Sequence, residues 1–136
     1  MWAMDLWISR IQRQQLLDWA KAAEPEECCG LLLGRNGVVE RVERTANVAA
    51  QPLAEFEIDP ASLITAEKRA RKGGLAILGY FHSHPNGKAE PSVTDAQMAA
   101  ADGRCWFIIA GGQIASWRPV VAGSGDAVRF VSQGFV

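Results

Sequence analysis

Apolar and polar positions along this chain switch between two periods, and the switches mark its elements. Leu6 to Ile8 reads as a short first strand. Ser9 then looks like an N-cap, with Gln12 three positions on completing a capping box. Leu16, Trp19, Ala20 and Ala23 recur at helical spacing, and Pro25 should end that helix. "CGLLLGR" is a continuous apolar run of strand length, and Asn36-Gly37 is a hairpin signal into "VVERVE", a strand carried by Val38, Val39 and Val42. "FEI" at Phe56 to Ile58 suggests a third strand. Asp59-Pro60 pairs an N-cap acid with a proline at the first helical position, and Gly73-Gly74 suits the left-handed end of that helix.

"LAILGYFHSH" is apolar on both faces, as in a central strand. Ser92 opens a further helix through "VTDAQMAAAD". "CWFIIAG", "QIASWRPV" and "VRFVSQ" supply three closing strands, and "GSG" at Gly123 to Gly125 is a loop. The expectation is an α/β domain with a mixed, largely antiparallel sheet and about three helices. Layer rules allow two or three layers, and the strand order does not follow from the pattern.

Composition narrows the classes of function. With 136 residues the chain is long enough for one domain with a real core. Fourteen Lys+Arg against fifteen Asp+Glu leave a net charge of −1, so no basic excess points to nucleic acid. "MWAMDLWISR" lacks a basic n-region, and nothing approaches the length of a membrane span, so a soluble cytoplasmic protein is expected. Cys28, Cys29 and Cys105 form no CxxC pair and stay outside the chemistry, Cys28 and Cys29 reading as two small buried residues. Among five tryptophans, Trp2 and Trp7 near one end suggest a partner or homodimer surface.

The chemistry concentrates in "FHSHPNGKAEPSVTD", Phe81 to Asp95, which holds both histidines of the chain. Residues i and i+2 of a strand project from one face, about 7 Å apart, so His82 and His84 can reach one ion. Asp95, arriving at a helix start, can face the strand as a third ligand. Two imidazoles and a carboxylate leave one position open for water, the layout of a catalytic zinc site. Blander roles compete: His82 as a satisfied core histidine, Ser92 as a plain cap, Glu27 as a solvent-facing acid.

"HSH", seven residues from Pro85 to Pro91 and then "SVTD" match H-x-H-x7-S-x-x-D, which resembles the signature of the JAMM (MPN-plus, JAB domain) zinc metalloproteases. "ILGYFHSHP", "EIDP" and "PEECCGLLLG" also look like landmarks of that family, and the resemblance runs from about Pro25 to Ile109. It implies a single JAMM/MPN-type domain over residues 1–136, of the small stand-alone prokaryotic type. It implies Zn2+ held by His82, His84 and Asp95. Glu27 would hold the catalytic water, acting as general base and then as acid to the leaving amine. Ser92 would donate to the oxyanion rather than simply cap a helix. The implied activity is hydrolysis of a peptide or isopeptide bond after the C-terminus of a ubiquitin-like or sulfur-carrier protein ending in Gly-Gly. Two other classes stand beside it. One is a non-catalytic MPN-type scaffold, which usually lacks metal ligands; the other is a peptidase of small peptides or cell-wall fragments.

Overall fold

The computed structural model describes residues 6–123 and 128–133. Three helices, α1 (Arg10–Ala23), α2 (Pro60–Arg71) and α3 (Val93–Met98), accompany six strands. The strands are β1 (Cys29–Arg35), β2 (Val38–Thr45), β3 (Ala76–Ser83), β4 (Cys105–Ala110), β5 (Gln113–Val121) and β6 (Val128–Gln133). They form one sheet in the order β2-β1-β3-β4-β5-β6. Every neighbouring pair is antiparallel except β3 and β4. The mixed, largely antiparallel sheet that was expected is therefore present, and its centre is the buried "CGLLLG" and "CWFIIA" flanking "ILGYFHS", in which Leu78 and Tyr80 are half-buried.

Local chemistry explains most boundaries. Gln12 N–H donates to Ser9 Oγ and Ser9 N–H to Gln12 Oε1, so the capping box of α1 is complete. Asn36 and Gly37, at φ 53° and 77°, make the two-residue turn between β1 and β2, whose twist matches that of the strands. Asp59 does precede α2, but its carboxylate accepts from the Ser62 hydroxyl instead of from a backbone N–H.

Three expectations need correction. Leu6 to Ile8 is no strand: Trp7 makes one parallel bridge to Val38 before the chain turns into α1. Phe56 to Ile58 is also reduced to a bridge, Ile58 with Asn47. Here the Glu57 N–H donates to the Asn47 side chain, and backbone pairing with Ala46 to Val48 is limited to the Val48 N–H on the Glu57 carbonyl and the Asp59 N–H on the Ala46 carbonyl. Helix α3 ends at Met98 rather than near Asp102. Ala99 is already extended at ψ 147° and packs toward Phe56 and Trp106, so tertiary packing overrides the helix preference of the alanines. Of "GSG", Ser124 and Gly125 lie outside the described residues, as does Trp2. Trp7 is half exposed.

The sheet has a layer on each side. Leu16 of α1 packs with Leu32, Val39, Phe81 and Phe107. Ala66 of α2 packs with Leu31, Leu33 and Ile77 on the opposite face. A bulge in β3 decides which face the site occupies. The pairing jumps from Leu32–Gly79 to Leu33–Ile77, leaving Leu78 as an extra residue. Strict alternation from Ile77 would have turned Phe81 toward α2. With the extra residue Phe81 joins the α1 core, and His82 looks into the opposite layer beside Phe56 and Trp106. Among the described residues no helix is long and apolar enough to cross a membrane.

Candidate metal centre

The end of β3, the segment after it and the first turn of α3 converge on three atoms. His82 Nε2 and His84 Nε2 lie 3.0 Å apart. Asp95 Oδ2 lies 3.2 Å from the first and 3.1 Å from the second. A tetrahedral ion about 2.0–2.1 Å from each ligand sets neighbouring ligands roughly 3.3–3.4 Å apart, so this triangle has the size of one face of such a site. The donor set points the same way. Two ring nitrogens and a carboxylate oxygen crowd together, and each would turn a lone pair on the others unless a cation or proton lay between them.

Each side chain is held from outside the triangle. His84 donates its Nδ1–H to the Lys88 carbonyl at 2.9 Å, which fixes the ring with Nε2 turned toward Asp95. Its backbone N–H donates to Ile109 of β4. His82 is fully buried, with the Phe56 ring stacked on it at 4.2 Å and Trp106 edge-on at 5.4 Å. Asp95 Oδ2 also accepts the Ser92 N–H, and Ser92 Oγ accepts the Asp95 N–H. The capping box read in the sequence is therefore formed, against the preference that the family resemblance placed on Ser92. Capping uses a lone pair of the Ser92 oxygen and leaves its proton free to donate.

Glu27 stands just before β1. It is 5% exposed, and its Oε1 has no hydrogen-bond partner. It is not the solvent-facing acid of the blander reading. Glu27, His82 and His84 each offer one ligand atom, all within 4.8 Å of one another. Two carboxylates thus flank the histidines, but only Asp95 is at ligand spacing, so Asp95 fits the third ligand position better than Glu27 does. Burial raises the Glu27 carboxyl to about 7, against the pull of His84 and with help from Asp95 and Glu55. Burial also lowers His82, which stays neutral despite Asp95. For His84 the bonds to Asp95 and the Lys88 carbonyl outweigh burial and raise it. Asp95, despite burial, is held well below the usual carboxylate range by its bonds to both imidazoles.

Several supporting residues had no sequence signal. Ser83, between the two histidines, accepts the Cys28 N–H at 2.8 Å and so ties β3 to the residue after Glu27. Asn47 donates to the Glu27 and Glu55 carbonyls and accepts from the Ala49 and Glu57 N–H groups. The stack of Phe56 on His82 likewise depends on chain segments far apart in sequence.

Comparison with known proteins bears on this arrangement. The family model for prokaryotic homologs of the JAB domain matches residues 9–120, which include Glu27, His82, His84, Ser92 and Asp95. The chain belongs to the prokaryotic JAB-domain family. The desampylase of Haloferax volcanii is 33% identical to this JAB-domain chain over 86 residues, covering 62% of each protein. The probable TtuB-protein conjugate cleaving protease of Thermus thermophilus is 43% identical over 75 residues, 55% of this chain and 50% of that protein. The alignments thus span about half to three fifths of these relatives' lengths. The solution structure of a Desulfitobacterium hafniense protein superposes with a TM-score of 0.76 at 31% identity, covering 96% of this chain and 91% of that one. The JAB-type fold expected from the signature is therefore the fold observed.

Proposed function

We propose that this chain is a zinc metallopeptidase that hydrolyses the bond after the C-terminus of a ubiquitin-like or sulfur-carrier protein. The observation that carries the reading is the triangle of His82, His84 and Asp95 beside the buried Glu27, whose Oε1 has no hydrogen-bond partner. The names of the relatives, a desampylase and a protease of TtuB conjugates, support the substrate class. We assign His82, His84 and Asp95 as the ligands, because imidazole and carboxylate at tetrahedral spacing suit zinc. Zinc bound there would act as a Lewis acid, polarising the scissile carbonyl and acidifying water.

The remaining steps belong to the chain. Glu27 takes the proton of the attacking water and returns it to the departing amine; a carboxyl near neutrality can do both. Ser92 donates its remaining proton to the oxyanion, from a hydroxyl already fixed by the Asp95 N–H. Buried walls around His82 keep bulk water from the reacting atoms. A substrate ending in Gly-Gly suits so enclosed a centre, in a peptide or an isopeptide bond. Three buried, unpaired cysteines fit a reducing cytoplasm. A pure scaffold leaves unexplained why one oxygen of the Glu27 carboxyl should be buried without a hydrogen-bond partner, at a cost to stability.

The test compares wild type, His84→Ala and Glu27→Gln for zinc content and for cleavage of a Gly-Gly ubiquitin-like protein linked to a lysine side chain. We expect about one zinc per chain, lost in His84→Ala and kept in Glu27→Gln, with hydrolysis lost in both. No zinc in the wild type even after supply, or full activity of Glu27→Gln, would overturn the reading.

A further inference from the structure

The segment between β3 and α3, residues 84–92, begins with His84 and leads into the turn that bears Asp95, so the placement of both depends on its path. Packing does little to hold its first half. Pro85 to Lys88 are exposed, and a Cβ added at Gly87 would meet nothing within 4 Å. Hydrogen bonds hold it instead. The Lys88 carbonyl accepts the His84 Nδ1–H at 2.9 Å, and the next carbonyl, that of Ala89, accepts the indole N–H of Trp117 at 3.0 Å. Trp117 lies on β5, the next strand but one from β3, and the chemistry above gives it no task. Its register partner on β4 is Trp106, which stands edge-on to His82, and the ring packs on the cluster that Trp106 forms with Cys29 and Phe56. Trp117 also shares a small cavity with Ser92, Val93 and Ala96, so it sits beside the first turn of α3 as well.

We propose that Trp117 is a positioning residue of the metal centre, whose indole N–H fixes the Lys88–Ala89 backbone and through it the ring of His84. The inference rests on the reading of His82, His84 and Asp95 as metal ligands. A half-buried indole commonly finds some acceptor, and that alone would be ordinary packing. What sets this bond apart is where its acceptor lies. Peptide units are planar, so only the two soft torsions of Ala89 separate the carbonyl held by Trp117 from the carbonyl that orients His84. If the first swings free toward water, the second follows, and the imidazole loses the partner that sets its rotation. The same indole lies beside what supports the other two ligands, Trp106 for His82 and the first turn of α3 for Asp95. A single side chain two strands away thus touches the support of all three. Preorganisation of this kind acts on how tightly the ion is held more than on whether the chain folds.

The test measures zinc affinity by competition with a chromophoric chelator, with no turnover needed. It compares wild type with Trp117→Phe, which keeps an aromatic ring and removes the N–H. Val39→Ala serves as a control, since Val39 is buried on β2, where the strand pairs with Gly34 at the end of β1 away from His82. Urea denaturation of each metal-free protein shows how far each change lowers stability. Trp117→Phe should bind zinc about tenfold or more weakly than wild type, while Val39→Ala loses stability and keeps wild-type affinity. Cobalt-loaded Trp117→Phe should also show visible bands changed in position or intensity, because the ligand geometry differs. An affinity of Trp117→Phe within twofold of wild type would overturn the proposal. So would an equal loss in Val39→Ala, which would make the effect one of general destabilisation. A wild type that takes up no zinc would bring down the metal reading and this inference with it, whereas equal tight binding by wild type and Trp117→Phe brings down this inference alone.

Discussion

Replacing Asn47 by alanine should weaken this protein out of proportion to the size of the side chain. An asparagine has two N–H donors and two acceptor positions, and all four are in use here. They reach the Glu27 carbonyl at 3.0 Å, the Glu55 carbonyl at 3.1 Å, the Ala49 N–H at 3.1 Å and the Glu57 N–H at 3.0 Å. A typical net contribution is about 1 kcal/mol per bond, which gives a ceiling near 4 kcal/mol for four. Asn47 is only half buried, so water can replace some of these bonds in the variant, and about 2–4 kcal/mol is expected. For a chain of this size ~3 kcal/mol lowers the melting midpoint by roughly 10 °C. Urea denaturation of metal-free protein is the suitable assay, because a bound ion would stabilise the folded state by mass action and mask the loss. Catalysis should suffer as well, since the same residue fixes the Glu27 backbone and the segment bearing Phe56. A loss under about 1 kcal/mol with hydrolysis unchanged would refute the idea that one side chain holds these segments together.

Ser92→Ala separates two roles of a single hydroxyl: losing the cap should cost about 1 kcal/mol of stability. Losing an oxyanion donor should lower kcat by about 10²–10³, so a stability loss with normal kcat would make Ser92 a cap alone. The pH dependence of metal-free protein has a definite sign. Glu27 goes from 4.5 to about 7 on folding, so its contribution is fully present below pH 4.5 and is lost as pH rises toward 7. Glu27→Gln should remove that part of the slope in a series of melting curves, and an identical slope in both proteins would contradict it. Gly30→Ala should destabilise the sheet by on the order of 3 kcal/mol, because an added Cβ would run into the Glu43 carbonyl and the Phe81 ring. Thermal unfolding checks it, and a midpoint within 2 °C of wild type would be the contrary result.

What could be read from the sequence was what local physics determines. The Ser9 capping box, the Asn36-Gly37 turn and the apolar runs of β1, β3 and β4 depend on neighbours a few residues away, and each is found. That His82 and His84 would share a face, with Asp95 able to turn toward them, was legible for the same reason: the two-residue strand period and a helix start set their directions relative to one another. Phe56 to Ile58 misled because its composition suits a strand, while its pairing with Ala46 to Val48 stops at two backbone bonds and the Glu57 N–H turns to the Asn47 side chain. Strand period alone would also have misjudged the face of His82, since the extra residue at Leu78 shows only in the pairing. Glu27 could be picked out only by family resemblance. It approaches the histidines through contacts such as Cys28 with Ser83, 55 positions apart.

The one parallel pair in the sheet has a consequence for descent. Because β3 and β4 run the same way, the chain must leave the end of β3 and travel back before β4 can begin, and Ser92 and Asp95 ride on that return path. An ion clasped between His84 and Asp95 would therefore also fasten the detour to the sheet, much as a buckle closes a strap. A descendant that gave up catalysis by losing either residue would lose the buckle too. Its surviving lineages would need a substitute, such as bulkier packing under α3, a shorter detour or a partner protein seated over it. Retired members of such a lineage should be recognisable by that repair as much as by the missing ligand.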